Sequence, residues 1–149
     1  AYGAFCYDYT LRTFGLMKWP KMIHNTISQQ VRTIDLMPTI LEILEIELDS
    51  SYELLDGESL LPLLNGEKTS ENLAYSETAN PLNDKKPPKE PNTISIRSSK
   101  WKLIINEYNN TKELYDLESD PLEKNNVVGK GLEIEDYLAK RLYEIKNKS

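Results

Sequence analysis

The chain has 149 residues, 39% of them hydrophobic and 28% charged, with 18 basic and 24 acidic side chains leaving a net charge of −6. This length suits one domain with a real core, and no stretch approaches the ~20 apolar residues of a membrane-spanning helix. The scattered lysines lack the electrostatic footprint of a nucleic-acid surface, and a single cysteine excludes both an internal disulfide and a multi-cysteine zinc site.

Taken in order, Thr13 to Trp19 is mostly apolar and closed by Pro20, which predicts a strand from the middle of a sheet. A polar connector containing His24 follows. Leu36, Met37, Ile40, Leu41 and Leu44 then recur at helical spacing, with Thr39, Glu42 and Glu45 on the opposite, wet side. Asp35 is placed to cap that helix, and Pro38 falls in its first turn. Ser59 is placed to cap a shorter helix carrying Leu60, Leu61, Leu63 and Leu64, which Gly66 ends in a left-handed conformation.

Leu73 to Glu77 alternates as a strand, and Asn80 to Asn92, with four prolines and three lysines, reads as a mobile surface loop. Thr93 to Arg97, the alternation of Trp101, Leu103 and Ile105, and Glu113 to Leu117 after an Asn109-Asn110 turn predict a three-strand meander. Leu132 to Lys146 is a final helix, acidic at its start and basic at its end as the helix dipole favours. Its Ile134, Leu138, Leu142 and Ile145 should meet Trp101, Leu103 and Ile105. The expected fold is α+β: a four-stranded antiparallel sheet packed on a C-terminal helix, preceded by an apolar strand and two helices.

Four blocks of sequence carry a resemblance. They are Ile34-Asp35-Leu36-Met37-Pro38-Thr39; Asp56 to Gly66, D-G-E-S-L-L-P-L-L-N-G; Ala74-Tyr75-Ser76-Glu77; and Glu113 to Asn126, E-L-Y-D-L-E-S-D-P-L-E-K-N-N. Each alone is a weak signature, but four in this order resemble the C-terminal part of the sulfatase family of hydrolases, within the alkaline-phosphatase-like superfamily. Tyr7 to Arg12 and Lys18-Trp19-Pro20 are similar to the edge of that family's large catalytic domain, although the family usually has Pro where Phe14 or Gly15 stands here. The resemblance implies that residues 1–70 are the end of the catalytic domain and residues 71–149 a small C-terminal sheet subdomain with its terminal helix.

Family catalysis implies a Cys or Ser in C/S-x-P-x-R that becomes formylglycine, a calcium-type divalent cation, and basic residues on the sulfate oxygens, since a dianionic transition state needs concentrated positive charge. Cys6 is followed by Tyr7-Asp8-Tyr9-Thr10, without the Pro or the Arg, and reads as a packing residue. Asp8, Asp35 and Asp56 are isolated acids explained by a strand edge, a cap and a turn. The positions where many members carry a basic residue hold Gly3 and Tyr2. His24 has no partner for a catalytic triad, and Lys85 to Lys89 read as a solvated linker rather than a substrate contact. No catalytic or metal-ligating residue is therefore assigned within the chain, substrate-binding residues are left unassigned, and both cofactors are expected only in the intact family member.

The expected function is that of a C-terminal fragment of a sulfuric ester hydrolase of arylsulfatase-like type, the chain itself being inactive. The alternatives are a non-catalytic interaction module and a fragment of a related phosphate or phosphonate ester hydrolase. The chain opens at Ala1 without a leader, as truncation would leave it, and its compartment is unassigned beyond a soluble protein with no signal peptide in the chain. Expected partners are the N-terminal catalytic part of the same protein, a sulfate-ester substrate, and a second copy through the apolar edge of Thr13 to Trp19; nucleic acid and membrane are not expected.

Overall fold

The computed structural model describes residues 5–20, 24–49, 55–67, 70–80 and 89–148. By contact the chain divides into two compact units, residues 1–15 with 73–149, and residues 16–72. Residues 5–15 thus group with the sheet, whereas the sequence division at residue 70 set them with the helices.

The first unit is built on four antiparallel strands in sequential order, β1 (Ala74–Thr78), β2 (Thr93–Arg97), β3 (Trp101–Asn106) and β4 (Thr111–Asp116), and on the helix α4 (Glu133–Lys146). Asn110 takes the left-handed conformation (φ 55°) that the tight β3–β4 turn requires and that asparagine tolerates. Ile94 faces Ile105 and Ile96 faces Leu103, which in turn faces Leu114. These residues close on Leu138 and Leu142 of α4 to form the core, with Ile134, Ile145 and Trp101 packed at its margin. The two periods predicted this contact, because side chains alternate along strands and recur every three to four residues along a helix.

The four prolines of the connection between β1 and β2 lie at residues 81–91, and residues 81–88, with the mobility expected there, lie outside the described residues. Its base is pinched by Asn92, whose Oδ1 accepts the Asn80 N–H at 2.8 Å and whose Nδ2 donates to the Asn80 carbonyl at 2.9 Å. A short helical turn, α1 (Asp8–Leu11), lies in the N-terminal segment of the same unit.

The second unit contains α2 (Leu36–Ile43), entered through a 3-10 turn over Thr33–Asp35, and α3 (Leu61–Leu64). Three expectations are corrected here. Asp35 does not cap α2: its carboxylate turns back to accept the Arg32 N–H at 3.0 Å and the Arg32 guanidinium at 2.6 Å, and it also takes the Glu58 N–H at 3.0 Å. Thr39 is fully buried rather than wet, donating to the Asp35 carbonyl at 2.5 Å and accepting the Leu60 N–H at 2.8 Å, while Met37, Ile40 and Leu44 are exposed. Helical period gives the two faces of α2 but not which one meets a neighbour, and within this unit α3 lies on the Thr39 side. Finally, Thr13 to Trp19 forms no strand, because no neighbouring strand among the described residues offers it a ladder. Gly66 does end α3 with φ 76°, and Ser59 Oγ accepts the Leu61 N–H at 3.2 Å. Among the described residues no helix is long and apolar enough to cross a membrane.

Candidate functional site

The alternation that sends Ile94, Ile96, Leu103 and Leu114 to α4 sends Ser95, Arg97, Lys102, Glu113 and Tyr115 to the opposite side of the sheet. Register then groups them, since Arg97 pairs with Lys102, which pairs with Tyr115, while Ser95 pairs with Ile104, which pairs with Glu113. An uncovered sheet would leave this polar face in water. Instead Cys6 and Tyr7 pack against Ile104, Tyr115 and Leu117, and the face is dry enough to leave Lys102 with 0% exposure.

A buried lysine needs counter-charges, because an unpaired ammonium in a low-dielectric interior is severely penalised. Lys102 Nζ lies 2.9 Å from Asp8 Oδ1 and 2.7 Å from Glu123 Oε1. The second contact is an ion pair with poor hydrogen-bond direction, and Oε1 has no other donor. Asp8 also receives Arg97 Nε at 3.0 Å and Arg97 Nη2 at 2.9 Å, and the Asp8 N–H donates to Glu123 Oε2 at 2.7 Å. Burial pushes the Asp8 carboxyl up, but the Arg97 and Lys102 cations outweigh it and leave it below its ordinary value.

A second cluster adjoins the first. Tyr7 and Tyr115 both donate to Glu113 Oε2, at 2.7 and 2.6 Å, and Asn106 Nδ2 donates to Oε1 at 2.8 Å. Burial, and then the Glu113 carboxylate, push both phenols well above their ordinary range, since ionisation would set a second anion beside the first. Cys6 is 1% exposed, and burial raises its thiol.

The last sequence block builds the loop that delivers Glu123. Asp120 Oδ2 accepts the Lys124 and Asn125 N–H groups at 2.8 and 2.7 Å, which winds the turn after Pro121. Glu123 stands in the left-handed region at φ 53°, a strained conformation that aims its carboxylate at Lys102. Asn126 fastens the loop to β4, accepting the Leu114 N–H at 3.0 Å and donating to the Lys112 carbonyl at 3.2 Å.

Of the residues weighed from sequence, Asp8 enters the network, Asp35 is committed to Arg32 and the Glu58 amide, and His24, Asp56 and Lys89 are exposed. Gly3, Tyr2, Lys85 and Lys86 lie outside the described residues. Among the described residues no group of three or more His, Cys, Asp or Glu side chains is disposed to hold a metal ion. Sequence reasoning missed Lys102, Arg97 and Glu113; a lysine between Trp101 and Leu103 on a strand of apolar alternation was the available signal. What the arrangement does chemically is to neutralise two acids with two bases and fasten residues 5–11 across the sheet.

The family whose description is "N-sulphoglucosamine sulphohydrolase, C-terminal" matches residues 3–148. A choline-sulfatase of Rhizobium meliloti (strain 1021) is 32% identical over 98 residues, covering 63% of this chain and 17% of that protein. A structure solved with its substrate D-glucosamine-2-N,6-O-disulfate superposes with a TM-score of 0.58 at 28% identity, covering 76% of this chain and 23% of the other. A 2-O glycosaminoglycan sulfatase superposes at 0.54 with 26% identity and the same coverages. The chain thus spans about a quarter or less of the length of these relatives, and its own sheet and helices are an α+β arrangement of the alkaline-phosphatase-like kind. With a match across nearly its whole length, the chain belongs to the C-terminal domain family of the sulfatases.

Proposed function

We propose that this chain is the C-terminal segment of a sulfuric ester hydrolase, in which it braces the wall of a cleft where a sulfate ester is cleaved by groups outside the chain. The observation that carries the reading is the family match over residues 3–148, set against relatives of which the matched part covers only 17% and 23%. The exposed stripe of Met37, Ile40 and Leu44 supports it, because an apolar helix face of this kind suits burial against further protein. Two of the similar structures are named for sulfated sugars and the curated relative for choline sulfate, so sugar sulfates and choline sulfate head the substrates to test.

A calcium-type cation and a formylglycine belong to the proposed whole enzyme, but the donors described here fit neither. Asp8 is held by Arg97 and Lys102, Asp35 is held by Arg32, and Cys6 is buried in a sequence without the Pro and Arg of the precursor motif. The test is turnover of p-nitrophenyl sulfate, p-nitrophenyl phosphate and the natural sulfates by the protein encoded by the whole reading frame that contains this chain. EDTA-sensitive release from the sulfates is expected of that protein, and none from the 149 residues alone. A frame without a C/S-x-P-x-R motif, or turnover by this chain alone, would overturn the reading.

A further inference from the structure

A groove of about 450 Å³ opens beside the charge network, lined by Asp8, Tyr9, Arg12 and Phe14 from the N-terminal segment and by Leu122 and Glu123 from the loop after β4. Its electrostatics follow from pairings already described. Asp8 and Glu123 carry two negative charges, which Arg97 and Lys102 balance with two positive ones. The remaining charged side chain on the wall is Arg12. It is exposed, and its guanidinium makes no hydrogen bond or ion pair among the described residues. The groove therefore presents one uncompensated cation. Around it stand apolar surfaces open to water: Phe14 is 92%, Tyr9 75% and Leu122 69% exposed. The Tyr9 ring stacks on Tyr7 at 5.7 Å with an interplanar angle of 16°, which steadies one aromatic wall.

We propose that this groove binds an anionic saccharide, with Arg12 holding its sulfate or carboxylate and Tyr9 and Phe14 lying along the sugar ring. A guanidinium presents a planar fork that matches two oxygens of such an anion. The electron-rich face of an aromatic ring attracts the polarised C–H groups on the flat side of a pyranose, and its apolar area is shielded at the same time. An inorganic anion would use only the first of these features, so the rings decide for a sugar. The choice of a sulfated sugar as ligand rests on the sulfatase reading; the site itself needs no turnover.

The test is a titration of the full 149-residue chain with N-acetylglucosamine 6-sulfate, followed by amide chemical shifts, with N-acetylglucosamine and inorganic sulfate as controls. Saturable shifts at Tyr9 to Phe14 and Leu122 are expected. Arg12→Ala should weaken binding about tenfold or more, the range for a charge-assisted contact. Arg12→Lys should fall between, and Phe14→Ala should weaken binding of the sugar sulfate but not of inorganic sulfate. Arg12 and Phe14 are both exposed, so circular dichroism should show unchanged folding in all three variants. No saturable shift, equal binding by the Arg12 variants, or inorganic sulfate binding as well as the sugar sulfate would overturn the proposal. An inactive whole-frame protein would sink the sulfatase reading and leave this binding result intact; absent binding with an active protein would do the reverse.

Discussion

Lys102 Nζ and Asp8 Oδ1 lie 2.9 Å apart although 94 residues separate them in the chain. This pair, completed by Arg97 and Glu123, converts the polar side of a β-sheet into an interior and ties the N-terminal segment across it. Removing one partner of such a network leaves an uncompensated buried charge. Lys102→Met should therefore cost about 3–5 kcal/mol in urea denaturation. Adding Asp8→Asn to Lys102→Met should cost less than the sum of the single changes, since the two share one interaction. Strict additivity would show that the charges are not coupled.

The two carboxylate clusters also set opposite ends of the pH range. Asp8 is held below its ordinary value when folded, so its contribution is present above pH ~4, where the unfolded carboxyl is ionised, and fades as pH falls through the lower folded value. Tyr7 and Tyr115 are held above theirs, so their contribution is complete below pH ~10 and is lost as pH rises toward the folded values. Stability measured by denaturation should thus decline above pH ~10, and Tyr7→Phe with Tyr115→Phe should flatten that decline. An alkaline slope identical in the double variant would place its origin elsewhere.

Gly57 is required by closeness of approach. A Cβ at this position would sit 2.0 Å from the Ile34 carbonyl oxygen, next to the amide that Glu58 donates to Asp35. The obstruction is backbone and cannot rotate away. Gly57→Ala should destabilise the helical unit by about 3 kcal/mol or more, at the upper end for overpacking. The readout is hydrogen exchange at Leu60 and Leu61, and unchanged protection there would count against the argument.

Phe14 and Leu16 are each 92% exposed in a segment that pairs with no strand among the described residues. Apolar chain with free backbone donors and acceptors invites pairing with another molecule. Sedimentation of the isolated chain at high concentration should show self-association, and Leu16→Lys should reduce it. A strictly monomeric protein would refute the expectation.

The sequence by itself determined the meander, the final helix and the core between them. Ile94, Ile96, Leu103, Leu114, Leu138 and Leu142 announce their faces through periods of two and of three to four, which depend only on local backbone geometry. The block Glu113 to Asn126 stood out only by its resemblance to a family, and the roles of its Asp120, Glu123 and Asn126 in winding, charge and fastening appear only in the fold. Tertiary structure alone decided the rest. Alternation puts Lys102 on the face away from the core, where an isolated sheet would leave it in water; only a segment from the other end of the chain makes that face dry. The same reason accounts for Thr39 and for Thr13 to Trp19: periodicity states which residues share a face or could pair, whereas burial and pairing depend on what neighbour the fold brings to them.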